Sequence, residues 1–88
     1  MDAPEGPGWL VSLSRGMLTP ASPLRLLGLE IAPDRQFATA RIRAGRNARR
    51  VTSGSRVRLV TPDGRLCGIV ERTSSENGHY VMVVRIST

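Results

Sequence analysis

The chain has no lysine, one cysteine, one histidine and three aromatic residues. Each scarcity excludes something. A single cysteine, Cys67, cannot form an internal disulfide, so cysteine usage carries no sign of an oxidising compartment. One cysteine and one histidine, His79, cannot make up a zinc ligand set within the chain. Aromatics are only 3% of residues, so the core must be aliphatic, and no ladder of aromatic side chains runs through the basic region. No apolar run reaches the roughly 18 residues of a membrane helix. The N-terminus, "MDAPEGPGWLV", has acids where a signal peptide has basic residues, and neither an export nor a lipidation signal is read. Gly-x-Gly-x-x-Gly, phosphate-loop and Gly-x-Ser-x-Gly motifs are absent.

A Cys67–His79 pair is the one conceivable nucleophile and base. Cys67 falls on the expected core face, where a free cysteine is ordinarily inert packing. The expectation is a protein that is not an enzyme, with no catalytic, cofactor-binding or metal-binding residue and no cofactor.

What is present is a chain of 88 residues, 40% hydrophobic, enough for one small domain with its own core. Residues 1–8 hold two prolines and two glycines and read as a loose N-terminus before a single domain over 9–88. "WLVSL", Trp9 to Leu13, reads as a short strand. Turn material follows, with Gly16, Pro20 and Pro23. "LRLLGLEI", Leu24 to Ile31, is apolar enough for a strand or a helical turn; Gly28 and the flanking Pro23 and Pro33 favour the strand. "QFATARIR", Gln36 to Arg43, alternates as a strand, and a connection with one helical turn near Asn47 to Val51 comes next.

The C-terminal third carries two hairpin signals. In "VRLVTPDGRLCGIV", Pro62, Asp63 and Gly64 suit a three-residue loop, pairing Val60 with Leu66, Leu59 with Cys67 and Val57 with Ile69. Asn77-Gly78 suits a type I′ turn and sets Tyr80 opposite Ser75, Met82 opposite Thr73, Val84 opposite Glu71 and Ile86 opposite Ile69. Both registers put Val57, Leu59, Cys67, Ile69, Tyr80, Met82, Val84 and Ile86 on one apolar face, with only Glu71 out of place. The opposite face mixes Arg56, Arg58, Arg72 and Arg85 with Val60, Leu66, Val70, Val81 and Val83. Strand after strand with short loops and six prolines means all-β, and at this length a five- to six-stranded barrel ending in an antiparallel meander.

Charge is local. The net charge is +6, and residues 35–62 carry eight arginines and no acid. A local positive field suggests an anionic partner, while the plain alternative is a solvated basic face. Two partner surfaces follow. Arg56, Arg58, Arg72, Val81, Val83 and Arg85 would form a protein interface, since aliphatics beside arginines suit such patches. Alternatively Arg41, Arg43, Arg46, Arg49, Arg50, Arg56 and Arg58 would neutralise the phosphates of RNA or single-stranded DNA, although stacking aromatics are missing there.

Read as a whole, the chain resembles the final part of the haemolysin-D-type membrane fusion proteins, periplasmic adaptors of bacterial export pumps. "DAPEGPGWLVSL" and "RGMLTPASPLRLL" resemble the half lipoyl motif, and "LEIAPDRQFATARI" the strand entering the barrel. "RRVTSGSRVRLVTPDGRLCGIVER" resembles the barrel hairpin, with Gly54, Val57, Leu59, Gly68 and Val70 at the family's positions, and "YVMVVRI" its closing strand. The family's second glycine before Pro-Leu is Ala21 or Ser22 here. The resemblance implies a non-enzymatic β-barrel that packs on another copy or on a transporter subunit. Members carry a membrane anchor and a long helical hairpin, so the chain would be the tail of a longer, periplasmic adaptor. A chain standing alone, without an export signal, would be cytoplasmic.

Overall fold

A computed structural model describes residues 7–13 and 23–87. They form a closed, all-antiparallel β-barrel of six strands: β1 (Gly8–Leu13), β2 (Leu24–Ile31), β3 (Phe37–Arg43), β4 (Arg56–Thr61), β5 (Gly64–Glu76) and β6 (His79–Ser87). The order around the barrel is β1-β2-β3-β6-β5-β4, with β4 returning to β1. Closure pairs each strand on both sides and so removes the exposed edges an open sheet would carry. The expected strands are all present, and β2 has the expected limits. β1 starts at Gly8, one residue inside the stretch expected to be loose. The turn material at 14–22 lies outside the described residues.

Side chains alternate across each strand, and the inner set is aliphatic. Leu10, Leu26, Ala38, Ala40, Ile42, Val57, Leu59, Val70, Met82 and Val84 are buried in one cluster. The small residues Ala38 and Ala40 on β3 face Val84 and Met82 on β6, so large and small side chains share the narrow interior. Gly68 is also interior. A Cβ there would run into the Arg85 carbonyl and Val84 Cγ1, so this position lets β5 and β6 approach closely.

The β4–β5 hairpin differs from the expected one. Thr61 pairs with Gly64, Val60 with Arg65, Leu59 with Leu66, Arg58 with Cys67 and Val57 with Gly68. The turn therefore uses two residues, Pro62 and Asp63. Gly64, at φ 143°, is already in the ladder, in backbone that side chains of other residues rarely adopt. The Thr61 hydroxyl braces the shorter turn: it accepts from the Asp63 N–H at 3.2 Å and donates to the Gly64 carbonyl at 3.1 Å. The one-residue slip inverts the faces of β5. Cys67 and Ile69, expected in the core, are exposed, and Leu66 and Val70 point inward in their place.

The β5–β6 hairpin turns at Asn77-Gly78 as expected, both with positive φ (47° and 80°). Near the turn the expected pairs hold, Tyr80 with Ser75 and Met82 with Thr73. Then the register shifts between Val70 and Arg72, so Val84 pairs with Val70 and Ile86 with Gly68. Glu71 is the extra residue of this β-bulge, which takes it out of the interior. The slip at one turn and the bulge beyond the other are both one residue, and they cancel. The two expected registers thus agreed with each other while both departed from the actual pairing on β5.

The β3–β4 connection closes one end of the barrel. A single 3-10 turn, Ala48–Arg50, falls where a helical turn is expected, and it buries Ala48 and the following Val51 on the core. The Tyr80 hydroxyl donates to the Val51 carbonyl at 3.0 Å and pins the plug to β6. Ser53, Gly54 and Ser55 then dock on the bulge. Gly54 N–H donates to the Val70 carbonyl at 2.7 Å, Val70 N–H to the Ser55 carbonyl at 2.9 Å, and the Ser53 hydroxyl to the Glu71 carbonyl at 2.6 Å.

Candidate protein-docking surface

The outward positions of β1 are Trp9, Val11 and Leu13, since Leu10 between them is buried. Trp9 is 43% exposed and Leu13 37%, so an apolar stripe runs along the outside of the barrel. Across the β1–β4 ladder Trp9 pairs with Val60, Val11 with Arg58 and Leu13 with Arg56. On the other side Trp9 pairs with Arg25 of β2, whose guanidinium carbon lies 5.4 Å from the Trp9 ring centre. That distance suits a cation–π contact. Trp9, Val11, Pro23 and Val60 line a shallow apolar cleft of about 290 Å³.

One row continues the pattern around the wall. Leu13 pairs with Arg56, Arg56 with Ile69, Ile69 with Arg85 and Arg85 with Phe37. Apolar and arginine side chains alternate along it, and Ile69 and Phe37 are about as exposed as Leu13. Arg85 is compensated, since both its Nε and Nη2 meet the Glu71 carboxylate that the bulge turns outward. Among the described residues Arg56 meets no carboxylate. Arg58 is half-buried, and its Nε is buried without a hydrogen-bond partner.

The expected interface residues are only partly gathered. Arg56, Arg58 and Arg85 belong to this wall and its row. Arg72 and Val83 pair with each other beyond the bulge, away from β4. Val81 is only 8% exposed and has little surface to offer a partner. The stripe on β1 is the part that sequence reasoning missed. Its signal was available in "WLVSL", where four of five residues are apolar, so a strand there must show apolar side chains on both faces.

The linear arginine cluster is dispersed by the topology. β3, with Arg41 and Arg43, and β4, with Arg56 and Arg58, stand on opposite sides of the barrel. Arg46, Arg49 and Arg50 sit on the connection over the plugged end. The result is a basic crown, not a groove along one wall. Arg41 is partly compensated by Glu76 at 4.0 Å. No described aromatic stands on the outside of that crown: Tyr80 is tied to the plug, and Trp9 and Phe37 begin their strands at the other end. A single-strand binder relies on such aromatics for stacking.

Cys67 and His79 cannot act together. Cys67 pairs with Ser87 at one end of β6, and His79 begins that strand at the other. Eight residue steps separate them, roughly 26 Å along an extended strand. Among the described residues no cluster of three or more His, Cys, Asp or Glu side chains could hold a metal, and no helix is long and apolar enough to cross a membrane. Compared with protein-family models, curated proteins and solved structures, the chain matches none.

Proposed function

We propose that the chain is a non-enzymatic interaction module that docks an acidic protein segment on the wall formed by β1 and β4. The observation that carries this reading is the apolar stripe Trp9–Val11–Leu13, flanked by Arg25, Arg58 and Arg56. Tryptophan and arginine around a desolvated centre are the side chains that dominate protein interfaces. Charge selects the partner. A two-fold contact between identical copies would bring Arg56 and Arg58 of both copies into one interface, where like charges repel. An acidic partner turns those arginines into rim contacts around the apolar stripe. In the setting that the haemolysin-D resemblance implies, that partner is a transporter subunit.

Trp9 is the single tryptophan of the chain, so its fluorescence reports this wall alone. A short peptide alternating aspartate and leucine is titrated at low and at high salt, and a single-stranded RNA is titrated in the same way. The expected result is a Trp9 shift with the peptide that is weakened but not abolished at high salt, because the apolar stripe still contributes, and that is weakened in Arg56→Glu. A shift with RNA but not with the peptide would transfer the surface to nucleic acid, where affinity falls steeply with salt. No shift with either would remove the wall from the reading.

A further inference from the structure

The end of the barrel opposite the plug holds a cleft of about 800 Å³, within the size range of small-molecule sites. Leu29, Ile31 and Leu66 line it, and Arg35, Asp63 and Arg65 lie among its polar lining residues. From these residues we propose that the cleft binds a small amphiphilic carboxylate, its apolar chain on Leu29, Ile31 and Leu66 and its acid group between Arg35 and Arg65.

Three observations support this. The floor is unfinished core: Leu29 and Leu66 pack on the buried cluster from a half-buried position. Ile31 pairs with Ala38, which is 1% exposed, yet is itself 40% exposed. The lips are cationic and uncompensated, because among the described residues neither Arg35 nor Arg65 has a carboxylate partner. A carboxylate can be held by an arginine through two parallel hydrogen bonds. Asp34, which could have neutralised Arg35, instead accepts the Gln36 N–H at 3.0 Å and shapes the turn.

Arg35 is also placed at a conformational cost. Its φ is 59°, in the left-handed region that glycine and asparagine fill most easily. The turn holds it there through the Arg35 N–H to the Ala32 carbonyl at 2.8 Å and the Ala32 N–H to the Phe37 carbonyl at 2.9 Å. A glycine would satisfy this turn with less strain. An arginine held at that position, on the lip of an apolar cleft, is placed to meet an anion bound there. Among the described lining residues Asp63 is the one carboxylate.

Thr61, at the end of β4, is the one described residue the cleft shares with the β1–β4 wall, and neither the apolar stripe nor its flanking arginines line the cleft, so the two proposals are tested separately. The test uses the full chain and three ten-carbon probes in calorimetric titrations: decanoate, the neutral alcohol decanol and decyltrimethylammonium. Decanoate is expected to bind saturably, one to one, and about tenfold or more tighter than decanol, with the cation not binding. Arg35→Gly and Arg65→Gln should each weaken decanoate, and the pair should abolish its advantage over decanol. Asp63→Asn should tighten it several-fold by removing a like charge. Arg35→Gly relieves the left-handed strain, so its melting temperature should hold or rise, which separates lost binding from lost folding. Equal affinity for decanoate and decanol, or an unweakened double variant, would overturn the proposal.

Discussion

At one end of the barrel the β3–β4 connection lays Ala48 and Val51 on the core, each 1% exposed, and Tyr80 ties them down. At the other, Ile31 occupies a strand position opposite a buried alanine and is 40% exposed. The same strands run to both ends, so the difference lies in the connections. A crossover of a dozen residues between β3 and β4 has the length to cover an opening and the apolar side chains to fill it. The tight turns at 32–36 and 62–63 have neither. Among the described residues, apolar cover therefore concentrates at the plugged end, and the other end keeps partly exposed apolar side chains.

Four substitutions test that division. The largest effect is expected from Gly68→Ala, which attacks the closure both ends depend on. Its Cβ would meet backbone of β6, and backbone cannot move aside cheaply, so a loss of about 3 kcal/mol in denaturant unfolding is expected. Val51→Ala should follow at about 2 kcal/mol, because it opens a cavity under the plug. Tyr80→Phe removes one hydrogen bond but keeps the ring, so about 1 kcal/mol should be lost, with faster amide exchange over residues 48–55. Ile31→Ala should cost least, under about 1 kcal/mol, since much of that side chain is already in water. An Ile31 variant as damaging as the Val51 variant would erase the difference between the two ends.

Much of this architecture was legible in the sequence. Val57, Leu59, Met82 and Val84 are core by alternation and are buried. Asn77-Gly78 specifies its turn because both residues tolerate positive φ. β5 was not legible, because "LCGIV" has apolar side chains on both faces and hydropathy does not choose between Leu66–Val70 and Cys67–Ile69. The mark of the bulge was Glu71, a carboxylate that the expected register placed in the core and that one extra residue removes. The candidate wall was partly legible. Arg56 and Arg58 could be named from charge, but their setting beside Trp9 and Leu13 depends on β1 pairing with β4, nearly fifty residues away.

The sequence by itself determined the class of structure. Short alternating segments, turn residues between them and an aliphatic, almost aromatic-free composition admit an all-β barrel, because local backbone preference and side-chain period act over a few neighbouring residues. Only the tertiary structure decided which arginines share a surface. Closing the barrel in the order β1-β2-β3-β6-β5-β4 sends the arginines of β3 and β4 to opposite sides and brings the N-terminal stripe beside β4. It also decided which end the β3–β4 connection fills. Those outcomes depend on strand order and register, set by contacts between residues far apart in the chain, and no local pattern encodes them.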